Sequence, residues 1–134
     1  MAKATGTFDV QLHPMAMEDI PKDALLARMS IDKQFHGDLD ATSKGQMLSA
    51  GTVTTGSAVY VAIERVTGQL AGRHGSFTLY HWATMTRGAP KLVISVVPDS
   101  GTGDLTGISG TMTIDIVDGS HAYGFEYAIA SGGK

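Results

Sequence analysis

Apolar residues recur at every second position through most of this chain. Side chains on a strand point to opposite faces in turn, so that period marks strands rather than helices. Phe8, Val10 and Leu12 alternate with Thr7, Asp9 and Gln11, and His13-Pro14 is expected to end that first strand. Met15 to Leu26 reads as a loop, or one helical turn around Lys22 to Ala27. Ala27, Met29, Ile31, Lys33 and Phe35 share the next face; Gly37 interrupts it, and a polar strand follows from Asp38 to Ser49. Val59 to Gly72 carries Tyr60, Ala62, Glu64, Val66 and Leu70 on one side and Val59, Val61 and Ile63 on the other. His74-Gly75 reads as a hairpin turn, its glycine supplying the positive φ of a primed turn. Phe77, Leu79, His81, Ala83 and Met85 form the returning face, with Tyr80 and Trp82 opposed. Arg87-Gly88-Ala89-Pro90 turns the chain into Lys91 to Val97, which Pro98 stops. Met112, Ile114 and Ile116 make a half-buried strand, Asp118-Gly119 signals a hairpin, and Tyr123 to Ile129 closes the chain.

Eight strands joined by short turns, without an amphipathic helix, favour antiparallel neighbours. In 134 residues such a set makes a closed barrel or a two-sheet sandwich. Closure removes exposed sheet edges, so the expectation is an all-β protein, a closed eight-stranded antiparallel β-barrel formed by one domain over residues 1–134. The interior of such a barrel is filled by side chains or holds one small ligand. An apolar share of 43% and a charged share of 17% suit a soluble globular protein. The net charge is -3 and the ten basic residues are scattered, which offers no face for nucleic acid. The N-terminal residues lack the apolar stretch of a signal peptide, and no run approaches the ~18 apolar residues of a membrane helix. With no cysteine in the chain, disulfides and thiolate chemistry are absent. A cytoplasmic protein without a membrane partner is expected.

Five stretches, "IDKQFHGDLDATSKGQML", "GSAVYVAIERVTGQLAGRHGSF", "TMTRGAP", "VVPDSGTGDLTGISGTMTI" and "DGSHAYGFEYAI", together resemble one bacterial family, the domain of unknown function 3224. The likeness runs from about Ala4 to Ile129. The resemblance implies an eight-stranded antiparallel barrel similar to the allene oxide cyclases, plant enzymes of the calycin-like group that bind an oxidised fatty acid inside the barrel. It implies no established activity and no cofactor. No motif here carries the cyclase chemistry over residue by residue.

The glycine-rich "PDSGTGDLTGISG" leads into a strand and not a helix, and lacks Gly-Lys-Ser/Thr, so it reads as a turn rather than a phosphate cradle. Asp99 and Asp104 within it do not have EF-hand spacing. His36, Asp38 and Asp40 would share a face of an unbroken strand, but Gly37 breaks it and no second histidine is near; no metal site is expected.

Glu64 and His81 each interrupt an otherwise largely apolar face. If both faces line the barrel, two titratable groups sit in a water-poor interior. Burial raises a carboxyl pKa and lowers an imidazole pKa, bringing both towards neutrality, where proton transfer works best. A two-residue His74-Gly75 loop would set Glu64 opposite Met85 and hold the pair roughly 13 Å apart along the strands. A four-residue loop, Gly72 to Gly75, would make them diagonal neighbours at ~7–8 Å. Lys33 interrupts Met29, Ile31 and Phe35 in the same way and offers Glu64 a partner across the interior.

The sequence therefore supports a barrel that binds a small, largely apolar molecule. Tyr60, Phe77, Leu79 and Met85 would supply apolar contacts, and Lys33, Glu64 and His81 a polar end. Two alternatives stand beside it: an isomerase or cyclase with Glu64 or His81 as acid or base, and a filled barrel serving as an oligomeric interaction module. Val59, Val61, Ile63, Val93 and Val97 cannot all fit one small barrel. Apolar faces left outside mark a subunit interface, so a homo-oligomer is expected, a dimer before a trimer.

Overall fold

Each alternating stretch becomes a strand. In the computed structural model, which describes residues 1–130, β1 (Ala2–Met15), β2 (Leu26–Gly37), β3 (Leu39–Gly51), β4 (Ala58–Leu70), β5 (Arg73–Thr86), β6 (Ala89–Val96), β7 (Ile108–Val117) and β8 (Ser120–Ile129) follow in chain order. Every strand pairs antiparallel with its chain neighbour, and β1 closes on β8. The protein is a closed eight-stranded barrel. Its short 3-10 turns are Lys22–Ala24 and Gly103–Leu105. Among the described residues no helix is long and apolar enough to cross a membrane.

The registers settle which side chains point inward. Phe8 pairs with Phe35 and His121, Ala62 with Met47 and His81, and Ile94 with Met112. Even positions of β1, β4, β6 and β7 and odd positions of β2, β3, β5 and β8 therefore share the interior.

Two expected boundaries move. β1 does not stop at His13-Pro14: Pro14 pairs with Met29 and the strand reaches Met15. Beyond Phe8 the strand has no partner in β8, so the missing proline N–H faces a free edge, where it removes no ladder bond. The β4–β5 hairpin turns at Ala71-Gly72, with φ of 49° and 84°, and not at His74-Gly75; Leu70 pairs with Arg73. Positive φ at both central residues is what a type I′ turn demands. Gly75 serves a different purpose, since a Cβ there would lie 2.1 Å from the Thr102 carbonyl oxygen. Arg87-Gly88 and Asp118-Gly119 also have positive φ at both residues, and each joins its strands as the sequence suggested, although Ala89 and Pro90 belong to β6.

The two ends of the barrel differ. At the end holding the β2–β3 and β4–β5 turns, the interior is packed solid with Phe35, Leu39, Leu70, Phe77, Leu79 and Phe125, all buried. Phe77 stacks on Phe125 at 5.6 Å and Phe125 on Tyr127 at 5.3 Å between centroids. The Tyr123 hydroxyl donates to the His36 carbonyl at 2.8 Å and accepts from the Leu39 amide at 3.0 Å, closing the β2–β3 turn. The glycine-rich loop between β6 and β7 plugs this end. It buries Leu105 and is held to β5 by Thr102 N to Ser76 O at 2.8 Å and Thr78 N to Ser100 Oγ at 3.0 Å. At the opposite end, which holds the Arg87-Gly88 and Asp118-Gly119 turns, no such plug covers the interior among the described residues.

Candidate functional site

Between the packed end and the open mouth lies a cup of about 330 Å³, with Phe8, Val10, Leu12, Ile31, Met47, Tyr60, Ala62, Leu92, Ile114, Ile116 and His121 around it and Lys33 and His81 among its lining. Every one of these residues has the inward parity fixed by the registers. The mouth is apolar: Leu12, Leu92 and Ile116 are exposed, Ile116 by 70%.

Glu64 lies beneath the cup, 0% exposed. Lys33 Nζ donates to its Oε2 at 2.8 Å and Ser43 Oγ to its Oε1 at 2.6 Å. His81 Nε2 stands 2.5 Å from Oε2. The Nε2–H direction is off the line to that oxygen, so the contact is electrostatic and not an aligned hydrogen bond. Backbone shape makes room for the carboxylate. Gly45 is the cross-strand partner of Glu64, and a Cβ on it would meet Glu64 Cα at 2.6 Å and Ile63 O at 2.0 Å.

Burial alone would raise the Glu64 pKa. The contact with His81 and the charge of Lys33 outweigh it and bring the group down from 4.5 to about 2. The expected rise towards neutrality is therefore reversed, because the carboxylate is solvated by fixed donors in place of water. Glu64 is therefore ionised near neutral pH. Burial and, secondarily, the Glu64 charge raise the Tyr60 phenol. The Lys33 ammonium also sits over the Phe8 ring at 4.8 Å and near Phe35 at 5.7 Å, cation–π contacts that compensate part of its lost hydration.

Glu64 pairs across the strands with Leu79, and His81 with Ala62. The carboxylate and imidazole are diagonal neighbours, although neither loop length weighed from the sequence produces this register. Of the expected ligand contacts, Lys33, Tyr60 and His81 line the cup. Phe77 and Leu79 do not: they have the inward parity but lie on the packed side of Glu64, buried in the aromatic core. Met85 is displaced the other way, beyond the cup, where it borders a shallow groove with Tyr60, Pro90 and Leu92 and is exposed. His36 and Asp38 are not gathered with Asp40 around a common point. His36 Nε2 pairs with Asp9 at 3.0 Å and Asp38 accepts from the Thr5 amide at 2.9 Å. Among the described residues no three His, Asp or Glu side chains cluster as a metal site would require.

A family model described as protein of unknown function (DUF3224) matches residues 4–127. The chain belongs to that family. Among solved structures, the DUF3224 barrel is similar to the crystal structure of a DUF3224-family protein of unknown function from Shewanella oneidensis MR-1. The two are 49% identical over 98% of this chain and 99% of that one, with a TM-score of 0.93. No curated protein matches the chain.

Sequence reasoning missed Ser43 and most of the cup wall in this DUF3224 barrel. Ala41, Ser43, Gly45 and Met47 do alternate on one face of β3, a stripe of mostly small residues whose partners on β4 are Gly68, Val66, Glu64 and Ala62. That stripe was the available signal for space beside Glu64.

Proposed function

We propose that this DUF3224 barrel binds a small, largely apolar molecule in its cup, with Lys33 and His81 fixing the polar end. The observation carrying this reading is a core that stops halfway: largely apolar walls surround about 330 Å³ and include Lys33 and His81, behind which lie Glu64 and Ser43. That volume lies at the low end for small-molecule sites, and an apolar wall with a few convergent polar groups is their usual chemistry. A barrel kept only for assembly has no need to desolvate an ion pair beside an empty space. The likeness to allene oxide cyclase barrels belongs to the same proposal and adds an interior ligand by analogy alone.

A neutral solvatochromic dye such as Nile red tests it. The expected result is a saturable blue shift with the unmodified protein and at least a tenfold weaker one with Met47→Trp, whose indole fills the cup. No uptake by the unmodified protein, or equal uptake by the variant, overturns the reading.

We further propose a cytoplasmic homodimer, supported by the absence of cysteine and by the outer wall of β3, β4 and β5. There Leu48, Val61, Ile63 and Tyr80 are exposed side by side, Ile63 by 62%, around a shallow groove that Trp82 also lines. Light scattering should give twice the chain mass for the unmodified protein and the chain mass for Ile63→Glu.

A further inference from the structure

The cup continues past its rim on one side of the barrel. Resting on the reading of the cup as a ligand site, we infer that the occupant carries a linear aliphatic chain. Its far end leaves the cup and lies in the shallow groove that climbs the inner face of β3 to β6, from His81 towards Met85.

Register builds the path. Across β4, β5 and β6 the inward residues form rows: Ala62, His81 and Ile94, then Tyr60, Ala83 and Leu92, then Ala58, Met85 and Pro90. In the middle row a methyl stands between two large side chains, so the wall is notched at Ala83, two residues above His81. The Tyr60 and Leu92 backbones are two strand spacings apart, roughly 10 Å, and their side chains narrow the slot. Such a slot suits one polymethylene chain better than a fused-ring body. The groove has a volume of about 420 Å³ and shares Met47, Tyr60 and Leu92 with the cup. From His81 to Met85 it rises by four residues, roughly 13 Å.

The chemistry of the lining fits hydrocarbon. Lys91 borders the groove, but it has the outward parity and its ammonium lies over the Trp82 ring at 5.4 Å on the outer wall. Thr84 has the outward parity too. The hydroxyls of Ser49 and Tyr60 are the polar groups that remain among the described residues. A charged group in the groove would therefore find no ionised partner, whereas methylenes would leave water. Met85 and Leu92 are exposed, and a chain laid along the groove covers both. Continuity with the cup makes that chain the occupant: contiguous apolar surface left open on a monomer marks a binding groove.

Displacement of Nile red by 1-hexanol, 1-octanol, 1-decanol and 1-dodecanol tests the chain. The expected Kd falls roughly twofold to fourfold with each added methylene through 1-dodecanol, fourfold being the value for full burial. Cyclododecanol has the same carbon count in a compact shape and should bind at least tenfold more weakly than 1-dodecanol, each Kd being referred to octanol–water partition. Met85→Glu puts a charge at an exposed position, and Ala83→Leu fills the slot. Each should weaken 1-dodecanol at least tenfold and change 1-hexanol less than twofold, so that 1-hexanol reports a folded, working cup. The series on the unmodified protein stands without either variant. Dye uptake with a series that levels off by 1-octanol, with equal binding of the ring, or with variants that treat short and long alcohols alike, overturns the chain assignment and leaves the cup intact. A halved mass of Met85→Glu in light scattering, with alcohol affinities unchanged, gives the groove to a second copy and also overturns it. Failure of the dye and of every alcohol to bind overturns the cup reading, and the chain with it.

Discussion

The two halves of this barrel are made by the same strands with the same alternation, yet one is solid and the other hollow. Below Glu64 the inward positions are Phe35, Leu39, Val66, Leu70, Phe77 and Phe125, which interlock with one another. Above it Val10, Ile31, Met47, Ala62 and Ile114, with Phe8 and Tyr60 among them, stand around a cavity. The same alternation therefore fixes which residues face inward and not whether they fill the space between them. The Lys33–Glu64–His81 cluster sits at the boundary. Aromatic packing lies beneath it, and the open cup lies above.

Truncation of matched residues in the two halves should expose this difference most strongly. Phe125→Ala removes a ring stacked on both Phe77 and Tyr127 and should destabilise the fold by about 4–5 kcal/mol. Ile116→Ala, at the mouth and 70% exposed, should change stability by less than about 0.5 kcal/mol. Urea unfolding monitored by circular dichroism measures both, and similar losses would mean that the mouth is packed after all.

How much of this was legible before the coordinates follows from what a period can encode. Parity was: Lys33, Tyr60, Glu64, Phe77, Leu79, His81 and Met85 all have the inward parity the alternation assigned them, which is why the barrel and the meeting of Lys33 with Glu64 could be anticipated. Height along the barrel was not. Moving the hairpin turn from His74-Gly75 to Ala71-Gly72 changes the partner of Glu64 from Met85 to Leu79. That slide drops Phe77 and Leu79 into the core and lifts Met85 beyond the cup. Both pairs fit a turn locally; in the barrel Gly75 is instead where Thr102, from a loop distant in sequence, comes close. The Glu64 pKa was misjudged for a related reason. Its sign depends on whether donors stand close enough to replace water, and Ser43 and His81 reach it through registers that the sequence left open.

The boundary cluster supplies the next two effects, the larger first. Lys33→Met leaves Glu64 buried with one donor fewer and should cost about 3–4 kcal/mol. Lys33→Met/Glu64→Gln should recover at least half of that, because the charge that was stranded is gone. If the double variant is as unstable as the single one, Lys33 contributes through packing on Phe8 and Phe35 rather than through the pair.

The pH dependence of stability then isolates the carboxylate. Unfolded, the Glu64 carboxyl titrates near 4.5; folded, near 2. Between those values the unfolded chain binds a proton that the native protein does not, so acidification favours unfolding. The contribution is complete above pH 4.5, declines as pH falls, and is gone below pH 2, with a ceiling of about 3 kcal/mol. Other carboxylates titrate in the same window, but they do so equally in Glu64→Gln. The difference between the two stability curves, measured by urea unfolding from pH 2 to 7, should therefore rise with pH up to about 4.5 and be flat above it. A difference that stays level across that range would mean Glu64 is no more acidic in the barrel than in the open chain, and the floor of the cup would then lack its fixed negative charge.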